Sequence, residues 1–220
     1  PWQPVREAAS ITQYSSGGAN WNSPVHVDAL GDIPLRVRGY EAIIDGATRR
    51  GLRAQPQLDC ALGSARVRAE LPQFWEQFPS GLAISEGGLS LRLFPDVGTA
   101  HELQPGERKT LRFRLHLGSL GHDEAMALQH DNAPTQAEQL AEPQVIIDPA
   151  HVQRCELAEL GNPADIDGTI ATLIAAGVDG DSSFFSKRER IDEYGWRHFG
   201  DLYADHEAHD YQGERPFVSH

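Results

Sequence analysis

The residues best suited to chemistry lie in the stretch 184–220, FFSKRERIDEYGWRHFGDLYADHEAHDYQGERPFVSH. It carries His198, His206, His209 and His220, four of the chain's ten histidines. Between them stand the rings of Tyr194, Trp196, Phe199, Tyr203 and Tyr211, and the cations Lys187, Arg188, Arg190, Arg197 and Arg215. Asp192, Glu193, Asp201, Asp205, Glu207 and Asp210 are interleaved with both. Stacking surfaces, titratable groups and fixed cations together suit a sugar-acid site. In elimination beside a uronate, a cation neutralises the carboxylate so that charge can develop at C5. A base then takes the C5 proton and an acid protonates the departing O4, roles that His and Tyr fill. Glycoside hydrolysis would instead need two positioned carboxylates, and the acids here are numerous enough to leave that open.

The elements that must hold these groups are read as helical. The run Ala164 to Arg215 contains no Pro, so long helices are allowed. Ser182 or Ser183 can cap the N-terminus. On a helical period Ile191, Tyr194, His198, Leu202 and Asp205 share one side, with Trp196, Phe199, Tyr203 and His206 beside it. Gly195 and Gly200 weaken that helix by about 1 kcal/mol each. Ordinary core packing is the competing account of the aromatic residues.

Upstream, residues 25–118 are strand-like. In 33–44, Leu35, Val37 and Gly39 alternate with Arg36 and Arg38; 64–71 and 89–94 alternate likewise. In 101–118, Leu111, Phe113, Leu115 and Leu117 are expected inward, with Arg112, Arg114 and His116 outward. Short strands at such spacing predict an antiparallel sandwich or barrel over 1–118. The loop 15–23, SSGGANWNS, offers Trp21 as a stacking ring beside the amide of Asn20; packing of Trp21 on a sheet is the plainer alternative. Residues 119–131 read as a helix inside a proline-bearing connector, 119–162. A helical part succeeds it over 163–220, its first helix in 162–178 having an Asn cap, an early Pro and the apolar face Ile166, Ile170, Leu173 and Ile174. The fold class expected is therefore α+β.

Composition narrows the function further. With 220 residues and 40% hydrophobic content, the chain can bury a real core. A net charge of −13 with no dominant basic patch argues against a nucleic-acid binder, while a local Arg cluster can still take an anion. No apolar run reaches membrane-span length, so no membrane partner is expected. Cys60 and Cys155 read as two ordinary thiols. His206 and His209 are three residues apart, unlike the four of the metalloprotease helix; a divalent-metal site there is the lesser alternative and no cofactor is expected. Phosphate-binding and dinucleotide loops and a nucleophile elbow are absent from the sequence. Both ends read as cut from something longer.

The segment 186–208, SKRERIDEYGWRHFGDLYADHEA, with FVSH at 217–220, resembles the rhamnogalacturonan exolyase-like family of polysaccharide lyases. The resemblance extends to SSGGANWNSPVHV (15–27), IPLRVRGYEA (33–42), FWEQFPSGL (74–82), LRLFP (91–95) and HELQPGERKT (101–110), and is loose over about 119–160. It implies an exported multidomain enzyme in which β domains flank an (α/α) toroid holding the active cleft, with residues 163–220 as the toroid's first helices. From the chemistry and motif position, Tyr203 and His206 are the expected acid–base pair, and His220 an alternative base. Arg197 is the first choice to neutralise the carboxylate, and Arg188 the second. Trp196 and Trp21 would stack on sugar rings, beside Asn20, and Asp201 would orient a His or bind hydroxyls. The expected partner is an acidic polysaccharide or oligosaccharide. A non-catalytic carbohydrate-binding or structural domain, and a glycoside hydrolase, are the alternatives.

Overall fold

The computed structural model describes residues 3–62, 65–86, 88–98, 100–103, 109–119, 126–129, 151, 154–155 and 168–196. Two compact units are present, Pro1–Ala133 with Arg188–His220, and Pro134–Lys187. The first unit is built on ten described strands: β1 Gln3–Pro4, β2 Ala8–Gln13, β3 Tyr40–Ile44, β4 Ala47–Gly51, β5 Gln57–Leu62, β6 Ala65–Glu70, β7 Ser80–Ser85, β8 Gly88–Arg92, β9 Arg114–Ser119 and β10 Met126–Gln129. Later in the chain come two helices, α1 Gly168–Val178 and α2 Phe184–Ile191. The last turn of α2, from Arg188, belongs to the first unit.

The strands form two five-stranded antiparallel sheets, sheet I in the order β1-β10-β5-β6-β9 and sheet II in the order β4-β3-β2-β7-β8. Alternation places their apolar faces together. Ile11, Ala42, Leu82 and Ile84 of sheet II share one core with Leu58, Cys60 and Val67 of sheet I. The β3–β4 hairpin turns on Asp45-Gly46, both at positive φ, as a two-residue hairpin loop requires. The Asp45 carboxylate accepts the backbone N–H groups of Arg6, Glu7 and Ala8, and these bonds hold its pKa below the ordinary value. The chain is thus α+β, an antiparallel sandwich and then helices. Cys60 is buried, Cys155 exposed, and both are free thiols.

Four local expectations are corrected. No strand covers 33–39: β3 begins at Tyr40, because Gly39 sits at φ +83 with its backbone pressed on Gly51, where a Cβ would meet a carbonyl oxygen at 2.1 Å. The stretch read as a helix over 119–131 supplies β10, with Met126 opposite Cys60 and Leu128 opposite Leu58; pairing with β5 overrides local helix preference. The long helix expected through residue 194 and beyond stops at Ile191. Finally, Leu115 and Leu117 lie on the expected face of β9 but remain 47% and 76% exposed, as does Phe113 at 51%.

The cap prediction for α2 is met by Ser183, whose Oγ accepts the Ser186 N–H at 3.2 Å. In α1, Ile170, Leu173 and Ile174 are all exposed. Leu82 is fully buried between the sheets, so Leu82→Ala should cost about 2–5 kcal/mol of unfolding free energy, checked by urea titration.

Candidate functional site

Two stretches far apart in sequence, the loop 15–23 and the segment 188–196, meet on the first unit. The loop is made rigid by buried polar side chains. Gln13 Nε2 donates to the carbonyls of Ser15 and Leu52, while its Oε1 accepts the Ala54 N–H. Ser15 Oγ accepts the Gly39 N–H, and Arg53 Nε donates to the Ser16 carbonyl. Every one of these groups is paired, as burial demands.

The loop receives the C-terminus of α2. A helix end leaves its last carbonyls without intrahelical partners. Asn20 Nδ2 donates to the Glu189 carbonyl at 3.3 Å, and Ser23 Oγ donates to the Ile191 carbonyl at 2.5 Å. Asp192 adopts φ +60, and the Glu193 N–H reaches back to the Arg188 carbonyl at 3.0 Å, closing the turn that ends the helix. The Asp192 carboxylate is fully buried; one oxygen accepts from Ser16 Oγ, and the other from His26 Nε2 at 2.7 Å. This is not a nucleophilic triad. The carboxylate stands between the hydroxyl and the imidazole, whereas a triad places the imidazole between. All three side chains are shielded from solvent, so the cluster anchors the segment.

After the anchor the chain dives into the sandwich end. The Gly195 N–H donates to the Glu76 carbonyl at 2.8 Å, at φ +97, and a Cβ there would come within 2.6 Å of the Phe78 ring. Trp196 is 6% exposed; its Nε1 donates to the Glu102 carbonyl and its ring packs edgewise on Phe78 and His101. Trp21 packs against the same cluster. Trp196 also lines a small cleft with Tyr14, Leu35, Arg36, Pro79 and His101.

The half-exposed rim carries the charges. Arg53 Nη2 donates to both oxygens of Glu189, at 2.9 and 2.7 Å, and its guanidinium lies 3.9 Å from the centre of the Trp75 ring. Arg188 lies 4.5 Å from the Tyr194 ring centre and donates to the Glu193 carbonyl. Tyr194 Oη donates to Glu189 at 2.8 Å, and its ring meets Trp75 edgewise. Burial pushes the Glu189 carboxyl up, but the hydrogen bonds from Arg53 and Tyr194 outweigh it and hold the group below its ordinary value. Burial, then the bond to Glu189, raises the Tyr194 phenol, so it is a donor and not a base near neutrality. Glu76 is raised by burial against weaker opposition from its own backbone N–H and then from Gln55, Arg53 and Arg188. Nearby, Lys109 donates to the Gln77 carbonyl beside the Phe94 ring, and burial pulls its amine down to about 7.

Of the residues singled out from sequence, the structure brings Asn20, Trp21, Arg188 and Trp196 into this one region. Arg197, Asp201, Tyr203, His206 and His220 lie outside the described residues. Sequence reasoning missed Ser16, His26, Arg53 and Trp75 as partners of the segment. Nothing in their local spacing points to it, whereas Asp192 two residues before Tyr194-Gly195 was a readable helix stop. Among the described residues no group of three or more His, Cys, Asp or Glu side chains is placed to hold a metal ion. None of the described helices is long and apolar enough to cross a membrane. Comparison with protein-family models, with curated proteins and with solved structures finds no match for the chain.

The anchor and the rim each make a prediction. Asp192→Ala should lower the unfolding free energy by about 2–4 kcal/mol, since it strands the Ser16 and His26 donors. Asp192→Gly should lose roughly 1 kcal/mol less, because glycine accepts the positive φ freely; equal losses in denaturant titrations would show that the backbone there is unstrained. Glu189 has a depressed folded pKa, so its contribution is present above the unfolded carboxyl pKa and is lost as pH falls through the folded one. With the side chain 41% exposed, that contribution is under about 1 kcal/mol. Glu189→Gln should therefore destabilise slightly near neutrality and leave stability unchanged in strong acid, as read from unfolding midpoints.

Proposed function

We propose that this chain belongs to an exported polysaccharide lyase that cleaves an acidic, uronate-containing polysaccharide of pectic or related type by β-elimination. In this reading the helices after residue 163 open an (α/α) toroid-type catalytic domain, and no cofactor is required. The observation that carries the reading is the pairing of guanidinium groups with aromatic rings, Arg188 with Tyr194 on the segment that leads into 197–220 and Arg53 with Trp75 against it. A uronate needs a cation for its carboxylate and a flat apolar surface for its ring. Arg188 and Arg197 would neutralise the carboxylate. Tyr203 and His206 would act as acid and base, with His220 as an alternative base. Trp21 and Asp201 would bind the sugar.

A second reading, a non-catalytic carbohydrate-binding or structural domain, draws on a different observation. Asn20 and Trp196 are used in capping and packing, the amide on the Glu189 carbonyl and the indole inside the aromatic cluster.

The deciding experiment monitors ultraviolet absorbance of conjugated unsaturated uronates on rhamnogalacturonan, pectin, ulvan and glycosaminoglycans. A rise on one substrate is expected. New reducing ends without absorbance would mean hydrolysis, and binding without product would establish the second reading. His206→Ala should reduce turnover roughly 100-fold or more. Arg197→Ala should do so by a similar factor, about 100-fold, if its charge meets the developing carbanion. Turnover within about twofold of the parent would remove either residue from the mechanism.

A further inference from the structure

The carboxylate of Glu189 sits in a cradle that does not depend on it. Arg53 Nη2 donates to both of its oxygens, at 2.9 and 2.7 Å, and Tyr194 Oη donates to one of the same oxygens at 2.8 Å. Hydrogen bonds to an ionised group are the strong ones. Each donor is aimed by something else. Arg53 Nε donates to the Ser16 carbonyl at 3.1 Å, and the guanidinium lies 3.9 Å from the Trp75 ring centre. The Tyr194 ring is held edgewise on Trp75, 4.9 Å between centres, with Arg188 4.5 Å from it.

The backbone that carries Glu189 is fixed separately as well. Its own carbonyl accepts from Asn20 Nδ2, the Ile191 carbonyl accepts from Ser23 Oγ, and the Asp192 carboxylate is buried against Ser16 and His26. None of these bonds uses the Glu189 side chain. The carboxylate is therefore the replaceable member of the cluster, since donors and helix end are both held without it. It is also an accessible member: the Glu189 side chain is 41% exposed and that of Arg53 33%. Against burial, the bonds from Arg53 and Tyr194 keep the Glu189 carboxyl below its ordinary value, so the cradle selects an ionised occupant.

We propose that Arg53 and Tyr194, backed by Trp75, form a carboxylate-binding site whose resident occupant is the chain's own Glu189, and that an external carboxylate binds by displacing it. The donors are in place before the ligand arrives, and Glu189 lowers the ligand's apparent affinity by competing for them. Arg53 then joins the carboxylate-binding residues without any elimination step, so binding here is independent of the lyase reaction.

Glu189→Ala removes the atoms of an acetate ion from a half-exposed position, so acetate is the probe. Titrations of the whole chain are followed by the Nε–H NMR resonance of Arg53 and by the unfolding midpoint. Acetate should bind Glu189→Ala at least about 10-fold tighter than the parent and raise its midpoint, while the parent shows a weaker, saturable shift. Adding Arg53→Lys to Glu189→Ala keeps the charge but loses the guanidinium held by Ser16 and Trp75, so the acetate affinity read from the midpoint should fall about 10-fold. Galacturonate is the second ligand: an affinity about 10-fold above that of acetate would assign the site to sugar acids, and equal affinity to carboxylates at large. Three results would overturn the proposal: equal acetate binding by Glu189→Ala and the parent, an acetate response that survives Arg53→Lys unchanged, or no response of the Arg53 resonance in the parent to either ligand, which would make Glu189 a permanent structural partner.

Discussion

The buried carboxylate of Asp192 is the constraint on which the described site depends. It accepts from Ser16 and His26 with no solvent access, so its position is fixed by the loop 15–23 and the short turn after it. Because Asp192 also sits at positive φ, the same residue ends α2 and tethers the segment 193–196. Aspartate tolerates that backbone better than most residues, and unlike glycine it brings a carboxylate with it. Asn20 and Ser23 then fall where the helix needs donors for its last carbonyls.

From that anchor one segment does two kinds of work. Its inward side chains, Tyr194 and Trp196, close the end of the sandwich with Phe78 and Leu35. Its outward groups, Arg188 and Glu189, form a charged rim with Arg53. The rim's guanidinium groups lie against ring faces, which limits their rotamers. These contacts hold the segment 188–196 in place on the first unit.

The sandwich shows a related separation between face and cover. Alternation assigns each strand residue to one side of its sheet, and it does so correctly for Ile11, Ala42 and Leu82 in the core and for Leu115 and Leu117 on β9. Whether that side is covered depends on how far the opposing sheet extends. The overlap centres on β5, so identical patterns give a dry core at β6 and a wet apolar row at β9.

Legibility from sequence depends on which interactions are local. The strands β6, β8 and β9, the Ser183 cap and an antiparallel β domain ahead of helices were readable, because period, turn chemistry and capping act over a few residues. The Asp45-Gly46 hairpin signal is equally local. The strand β10 was misread because residues 119–131 carry a helical pattern that pairing with β5 overrode. The site divides in the same way. The sequence alone singled out the loop 15–23 and the aromatic, basic segment, from residue types that suit sugar acids. Only the tertiary structure decided that they touch, that Asp192 joins them, and that Arg53 and Trp75 complete the rim. Those partners lie over a hundred residues apart, and burial of a polar group is satisfied by whatever the fold brings near it, which local spacing does not encode.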